Sequence, residues 1–225
     1  MFNFITDLAR YNELMISGSL ETLYMVGMSL FFAIVGGIPL GVLTTITRPG
    51  HILPNKPLNF ILDGIINIGR SIPFIILMVA VIPFTRMIVG TSIGTNAAVV
   101  PLSLAAIPFM GRVTDNAILE IDHGVVESAQ SMGASPLQIV FKVLLPESLP
   151  AIILGLTLTS ISLVSYSAMA GAVGGGGLGD IAIRYGYQRF QLPIMLETIV
   201  ILVVLVQLIQ FLGNQLASFF DHKAS

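Results

Sequence analysis

The sequence predicts an all-α integral membrane fold with about five spanning helices, on three observations. Of its 225 residues, 55% are hydrophobic and only 10% are charged, whereas a soluble domain carries roughly 25% charged residues. Mean hydropathy is +0.92. The charges are bunched, which leaves uncharged, mostly apolar stretches at residues 22–47, 87–111, 151–179 and 198–220. Each can cross the ~30 Å hydrocarbon core, which takes about 20 helical residues.

Residues 1–19 are read as a short amphipathic helix at the interface, with Phe4, Ile5, Leu8 and Tyr11 on one side and Asp7, Arg10 and Glu13 elsewhere. The start, Met1-Phe2-Asn3-Phe4, has no basic flank and is interrupted by acids, so no cleaved leader is expected and the first span directs insertion. That span covers residues 20–46 and stops at Arg48-Pro49-Gly50, where proline cannot continue a helix and glycine turns the chain. A second span is expected over 61–84, with Asp63 and Arg70 seven residues apart on one face. The third covers 95–110 and contains Pro101 and Pro108, which membrane helices tolerate where neighbours satisfy the freed carbonyls. The fourth and fifth cover 151–170 and 193–216, and 217–225 form a polar tail.

Several function classes fall away. A net charge of −2 without any Lys/Arg run gives no case for nucleic acid. With no cysteine there is neither disulfide nor thiolate metal site, and His51, His123 and His222 stand dispersed in loops and tail, so neither metal nor catalysis is assigned. Gly174-Gly175-Gly176-Gly177-Leu178-Gly179 satisfies Gly-x-Gly-x-x-Gly, with Glu197 near the spacing of a ribose-binding acid. The dinucleotide reading needs a preceding strand, whereas here the pattern ends an apolar helix. A flexible or tightly packed external loop is expected instead.

The polar segment 120–146 between spans three and four reads as two short helices joined by a turn. Asp122 can cap the first, Ser128 and Ala129 leave one surface flat, and Gly133 sits where a helix ends in a left-handed residue. Ser135-Pro136-Leu137-Gln138 combines an N-cap serine, proline at the first helical position and glutamine three after the cap. Pro146 and Pro150 are expected to close the second helix before span four begins.

The run Glu127-Ser128-Ala129-Gln130-Ser131-Met132-Gly133, followed after nine residues by Val143-Leu144-Leu145-Pro146, resembles the Glu-Ala-Ala loop of ABC importer permeases. Ser128 and Val143 depart from that signature, which has alanine and isoleucine there. Over residues 20–213 the chain is similar to the methionine-type permeases, through Thr47-Arg48-Pro49-Gly50, Arg70-Ser71-Ile72-Pro73-Phe74, Ile82-Pro83-Phe84-Thr85-Arg86 and Tyr166-Ser167-Ala168-Met169 among others. The resemblance implies a type I ABC importer permease fold, a homodimer in a bacterial plasma membrane, N-terminus outside and C-terminus cytoplasmic. It also implies an external periplasmic or lipid-anchored binding protein and a separate ATPase that carries ATP and Mg. Segment 120–146 would be the cytoplasmic coupling hairpin that docks on that ATPase through Glu127, Ser128, Ala129, Gly133, Val143, Leu145 and Pro146.

No phosphate-binding loop is present, so the energy source is expected on another chain and this one is not an enzyme. The Lys/Arg count leans the same way: Arg48, Lys56, Arg70, Arg112, Lys142 and Lys223 fall inside, against Arg10, Arg86, Arg184 and Arg189 outside. Span four aligns Gly155, Thr159, Ser162, Tyr166 and Met169, a stripe suited to close packing or to a translocation path. By family-like position, Tyr166 and Met169 are the candidates for path or gate. Arg70 and Glu197 near span ends either snorkel or pair, Arg70 with Asp63, or else touch passing substrate. A self-sufficient channel or secondary transporter is the rival class. It is disfavoured by the lack of intramembrane acid chains and internal repeats.

Overall fold

The structure, a computed structural model, describes the backbone of residues 2–220 and side chains from Tyr11 to Phe220. The side chains of Phe4, Ile5, Asp7, Leu8 and Arg10, on which the amphipathic reading rests, lie outside the described residues, as do His222 and Lys223. Among the described residues the secondary structure is helical throughout. The helices are α1 (Phe2–Ile46), α2 (Lys56–Ser71), α3 (Phe74–Ala80), α4 (Ile82–Val89), α5 (Thr95–Leu119), α6 (His123–Ser131), α7 (Pro136–Ile139), α8 (Leu145–Gly171), α9 (Gly177–Ile181) and α10 (Leu192–Phe220). Four continuous segments are long and apolar enough to span: Tyr11–Ile46, Thr95–Leu119, Pro136–Gly171 and Leu192–Phe220. The bent pair α2 and α3 supplies a fifth when counted as one span.

Three boundaries differ from the sequence reading, each for a local reason. Nothing interrupts the first helix at residue 20; Met15 is buried beside Leu178, Ile181 and Ile194, so this part of the helix packs inward. The second span, expected straight over 61–84, turns by 102° between α2 and α3. Ile72 is extended there (φ −84°, ψ 121°) because Pro73 disfavours helical geometry in the residue before it. Pro83 then opens α4, which Gly90 ends in the left-handed region at φ 82°. The third helix does not stop at Met110 but continues to Leu119, because the charges that would have ended it, Arg112 and Asp115, pair with each other.

By internal contacts the chain divides into two compact units. The first comprises Met1–Phe31, Pro73–Leu104 and Ser160–Ile209, and the second Phe32–Ile72, Ala105–Thr159 and Gln210–Ser225. In the first, Met15, Leu178, Ile181 and Ile194 form an apolar core with Tyr11, Leu14 and Tyr185 against it. The glycine run is the tightly packed alternative, not a flexible one. Gly174, Gly176 and Gly177 take φ of 92°, 83° and 74°. Glu21 accepts a hydrogen bond from the Gly177 N–H at 2.6 Å, and the Thr22 hydroxyl oxygen accepts from the Leu178 N–H at 2.9 Å. The start of α9 is thereby capped by α1. In the second unit, Val42, Ile46 and Ile118 pack with Val126, Ala129, Ile139, Val140 and Leu144.

Candidate functional site

The hairpin of α6 and α7 is built from local signals. The Asp122 carboxylate accepts from the Gly124 N–H at 2.7 Å and opens α6. Gly133, at φ 78°, ends it: the Ala134 N–H donates to the Ala129 carbonyl at 3.1 Å, and the Gly133 N–H to that of Gln130 at 2.9 Å. This pair of bonds is the Schellman closure that a left-handed glycine permits. Ser135 and Gln138 then form a reciprocal capping box: the Ser135 hydroxyl oxygen accepts from the Gln138 N–H, and the Gln138 amide oxygen from the Ser135 N–H at 2.8 Å.

Pro146 and Pro150 do not close the second helix. It passes through a π-helical turn, Val140–Leu144, directly into α8. Pro146 has no N–H for the Lys142 carbonyl and its ring crowds that group, and the wider turn, in which the Leu145 N–H reaches the Val140 carbonyl, absorbs the conflict. The second helix of the hairpin and the fourth span are therefore one continuous element, Pro136–Gly171.

Ala129 points into the apolar cluster, with Val143 and Leu145 packed against its margin. Glu127, Ser128, Gly133 and Pro146 face outward. Ser128 and Ala129 thus do not share one flat surface, and the Ser128 hydroxyl is spent on the Gly124 carbonyl at 2.7 Å. Sequence reasoning missed the outward apolar side chains of this hairpin: Met132, Leu137 and Phe141 are 82%, 70% and 65% exposed. A count of apolar residues breaking the polar face of each short helix could have found them.

The span-four stripe divides. Gly155 lies so close to Val113 that a Cβ would overlap it, and the Thr159 hydroxyl donates to the Gly155 carbonyl at 2.7 Å in a fully buried setting. That end is helix packing. Tyr166 is half-buried and stacked on Phe74, with ring centroids 4.8 Å apart. Met169 is 47% exposed.

Arg70 does not pair with Asp63; its guanidinium lies 5.9 Å from the Phe109 ring, while Asp63 binds Arg112 at 2.7 Å. Glu197 is exposed on α10. His51 and His123, far apart in sequence, come together with ring centroids 6.5 Å apart. Burial holds His51 below the ordinary imidazole pKa, with His123 and Arg48 adding to the effect. No group of three His, Cys, Asp or Glu able to hold a metal occurs among the described residues.

Residues 37–225 match the family described as the binding-protein-dependent transport system inner membrane component. The chain belongs to this family. It is 53% identical over 223 residues to the probable D-methionine transport system permease protein MetI of Vibrio cholerae, covering 99% of each chain. It is 55% identical over 158 residues to the D-methionine transport system permease protein MetI of Escherichia coli K12, covering 70% of this chain and 73% of that one. Among solved structures it is similar to a chain of the MetNI methionine ABC transporter in an inward-facing conformation. The TM-score is 0.91 at 52% identity, over 93% of this chain and 97% of that chain. An amino acid ABC transporter at 19% identity and TM-score 0.73 shares the fold. As a member of this family, the chain is a multi-pass inner-membrane permease with a type I importer fold and a transport subunit, not an enzyme.

Proposed function

We propose that this chain is the membrane-spanning subunit of an ATP-driven methionine importer. It works as a homodimer, takes substrate from an external binding protein and is driven by a separate ATPase that binds ATP and Mg. The observation that carries the reading is the 53% identity, over 99% of both chains, to a probable D-methionine permease. The 0.91 TM-score to a chain of a methionine ABC transporter supports it.

The hairpin is the part suited to receive the ATPase. It is capped at both helices, turned by Gly133, and exposes Glu127, Met132, Leu137 and Phe141. Exposed apolar anchors on a capped hairpin fit a protein partner. Because α7 runs unbroken into α8, displacement of the hairpin by closing ATPase subunits would tilt the fourth span as one lever. In this scheme Tyr166 and Met169 on α8 form path and gate, and Arg70 and Glu197 meet substrate at its edges. With the hairpin cytoplasmic, the N-terminus lies outside and the C-terminus inside.

Two measurements test the scheme. A cysteine at Gln130 should label only from the cytoplasmic side and one at Arg184 only from outside; reversed labelling removes both topology and docking. Gly133→Pro cannot adopt the φ of 78°, so the variant should reach the membrane without retaining the ATPase. Normal co-purification would show that the hairpin is not the joint.

A further inference from the structure

The end of α1, the end of α5 and, through Arg112, the middle of α2 are tied to a carboxylate that no part of the transport scheme above uses. The Asp115 side chain is 0% exposed. It accepts from Arg48 at 2.7 Å, from Arg112 at 2.9 Å and from the Thr45 hydroxyl at 2.8 Å. Arg112 in turn donates to Asp63 and to the Asn67 amide oxygen, each at 2.7 Å, and the Asn67 amide closes the set on Asp63 at 2.8 Å. Two arginines and two aspartates thus join three helices. The Asn59 side chain adds a bond to the Thr44 carbonyl at 2.6 Å.

The position of this cluster gives it meaning. Val42, Ile46 and Ile118, against which the hairpin's Val126, Ala129, Ile139, Val140 and Leu144 pack, lie within one helical turn of Thr45 or Asp115 along α1 and α5. Any displacement of the hairpin therefore loads these helix ends first. An apolar contact alone would let them slide, because dispersion has no direction. Charge-assisted hydrogen bonds fix register. Register is critical here: a Cβ on Gly41 would overlap the Gly111 carbonyl and lie 2.6 Å from the Thr114 Cβ. Stability is a weak reason for such a cluster, since buried ion pairs are often replaceable by apolar residues without loss.

We propose that Asp115 is a positioning residue for transport, which locks the ends of α1 and α5 and the middle of α2 through Arg48 and Arg112 into one body that the hairpin moves. Arg48, within the Thr47-Arg48-Pro49-Gly50 run, thereby acquires a role beyond marking the end of a helix. The proposal rests on the reading that the hairpin docks on the ATPase.

The test uses the complete transporter, with its ATPase and binding protein, reconstituted in vesicles. Methionine uptake per ATP hydrolysed is measured for the native chain, Asp115→Asn, Arg48→Gln and the double variant. This ratio is unmoved by mere loss of folded protein, since both rates scale with the amount present. Each single change should lower uptake per ATP by about fivefold or more while the ATPase co-purifies normally. The double variant should be no worse than the worse single one, because both remove the same contact. Should Asp115→Asn fail to fold, Arg48→Gln alone, at a partly exposed position, removes the charged Nη2 donor to Asp115 and should show the same drop. Native uptake per ATP in these variants, or losses that add, overturns the role of Asp115 with docking intact. Retention of the ATPase by Gly133→Pro instead removes the docking premise, and the proposal with it.

Discussion

The turn at Gly133 and the glycine loop at 174–177 both reverse the chain through positive φ, yet they are held by different means. At Gly133 every stabilising bond comes from the hairpin itself: Asp122 to Gly124, Ala134 to Ala129, and Ser135 with Gln138. At the glycine loop the decisive partners, Glu21 and Thr22, stand 156 residues away. A Cβ at Gly133 would meet nothing within 4 Å, whereas one at Gly177 would lie 2.7 Å from the Thr22 hydroxyl and 2.8 Å from Met25. A self-contained turn can be displaced as a unit without losing its shape. A turn pinned to another helix can move only with that helix. The first arrangement suits a docking projection, the second a fixed closure of helix ends.

Gly177→Val applies the strongest pressure to this comparison. It adds a branched side chain at φ 74° where no space exists. Strain and overpacking together should cost about 3 kcal/mol or more. Purified protein should show a sharply lower melting temperature and poor yield; a native melting curve would mean the loop is not pinned.

Leu137→Asp comes next, and acts on binding alone. The residue is 70% exposed and makes little contribution to the fold. If the outward apolar face is the ATPase seat, affinity should fall about 30-fold, the scale of an interface anchor. Titration of the ATPase against the purified permease measures it, and unchanged affinity would move the seat elsewhere on the hairpin. Gly133→Ala is milder still. It pays only for a left-handed alanine, about 1 kcal/mol, because its Cβ meets open space. The ATPase should stay bound, and its loss would mean that the turn tolerates no strain.

How much of this was legible in the sequence follows the same division. The caps at Asp122 and Ser135 and the left-handed Gly133 are set by neighbours within a few residues, so pattern alone reveals them. The long apolar helices are legible for the same reason, each stretch carrying its own solvent preference. Pro73 was legible as a residue but not as a 102° bend, since whether a membrane proline kinks or breaks a helix depends on what its neighbours can satisfy. Pro146 shows the reverse error: a residue expected to end a helix is absorbed by a π turn. The partner of Asp63 was misjudged because spacing along α2 offered Arg70, while the third dimension offered Arg112, 49 residues on. Asp115 was invisible, because a lone acid near the end of an apolar run gives no local sign of being buried between two arginines.

The smallest predicted effect concerns a ring contact between the hairpin and the loop after α1, beside the apolar packing of the hairpin on Val42, Ile46 and Ile118. His123 opens α6, and its ring centroid lies 6.5 Å from that of His51 in the loop after α1. The His51 Nδ1 is buried without a hydrogen-bond partner. Burial holds its pKa below 6.5; His123 and Arg48 push in the same direction and Asp115 opposes them. When the joint opens, His51 titrates near its ordinary value, so the open form takes up a proton first as pH falls. The joint is therefore at full strength above pH 6.5 and weakens as pH drops from there toward the lowered value of the closed form. Amide hydrogen exchange, corrected for its intrinsic pH dependence and compared between pH about 7.5 and about 5.5, should show lost protection in α6 and none in α9, with His51→Gln flattening the difference. Equal responses of α6 and α9, or a response that survives His51→Gln, would mean that the hairpin is as independent of its surroundings as its own bonds suggest.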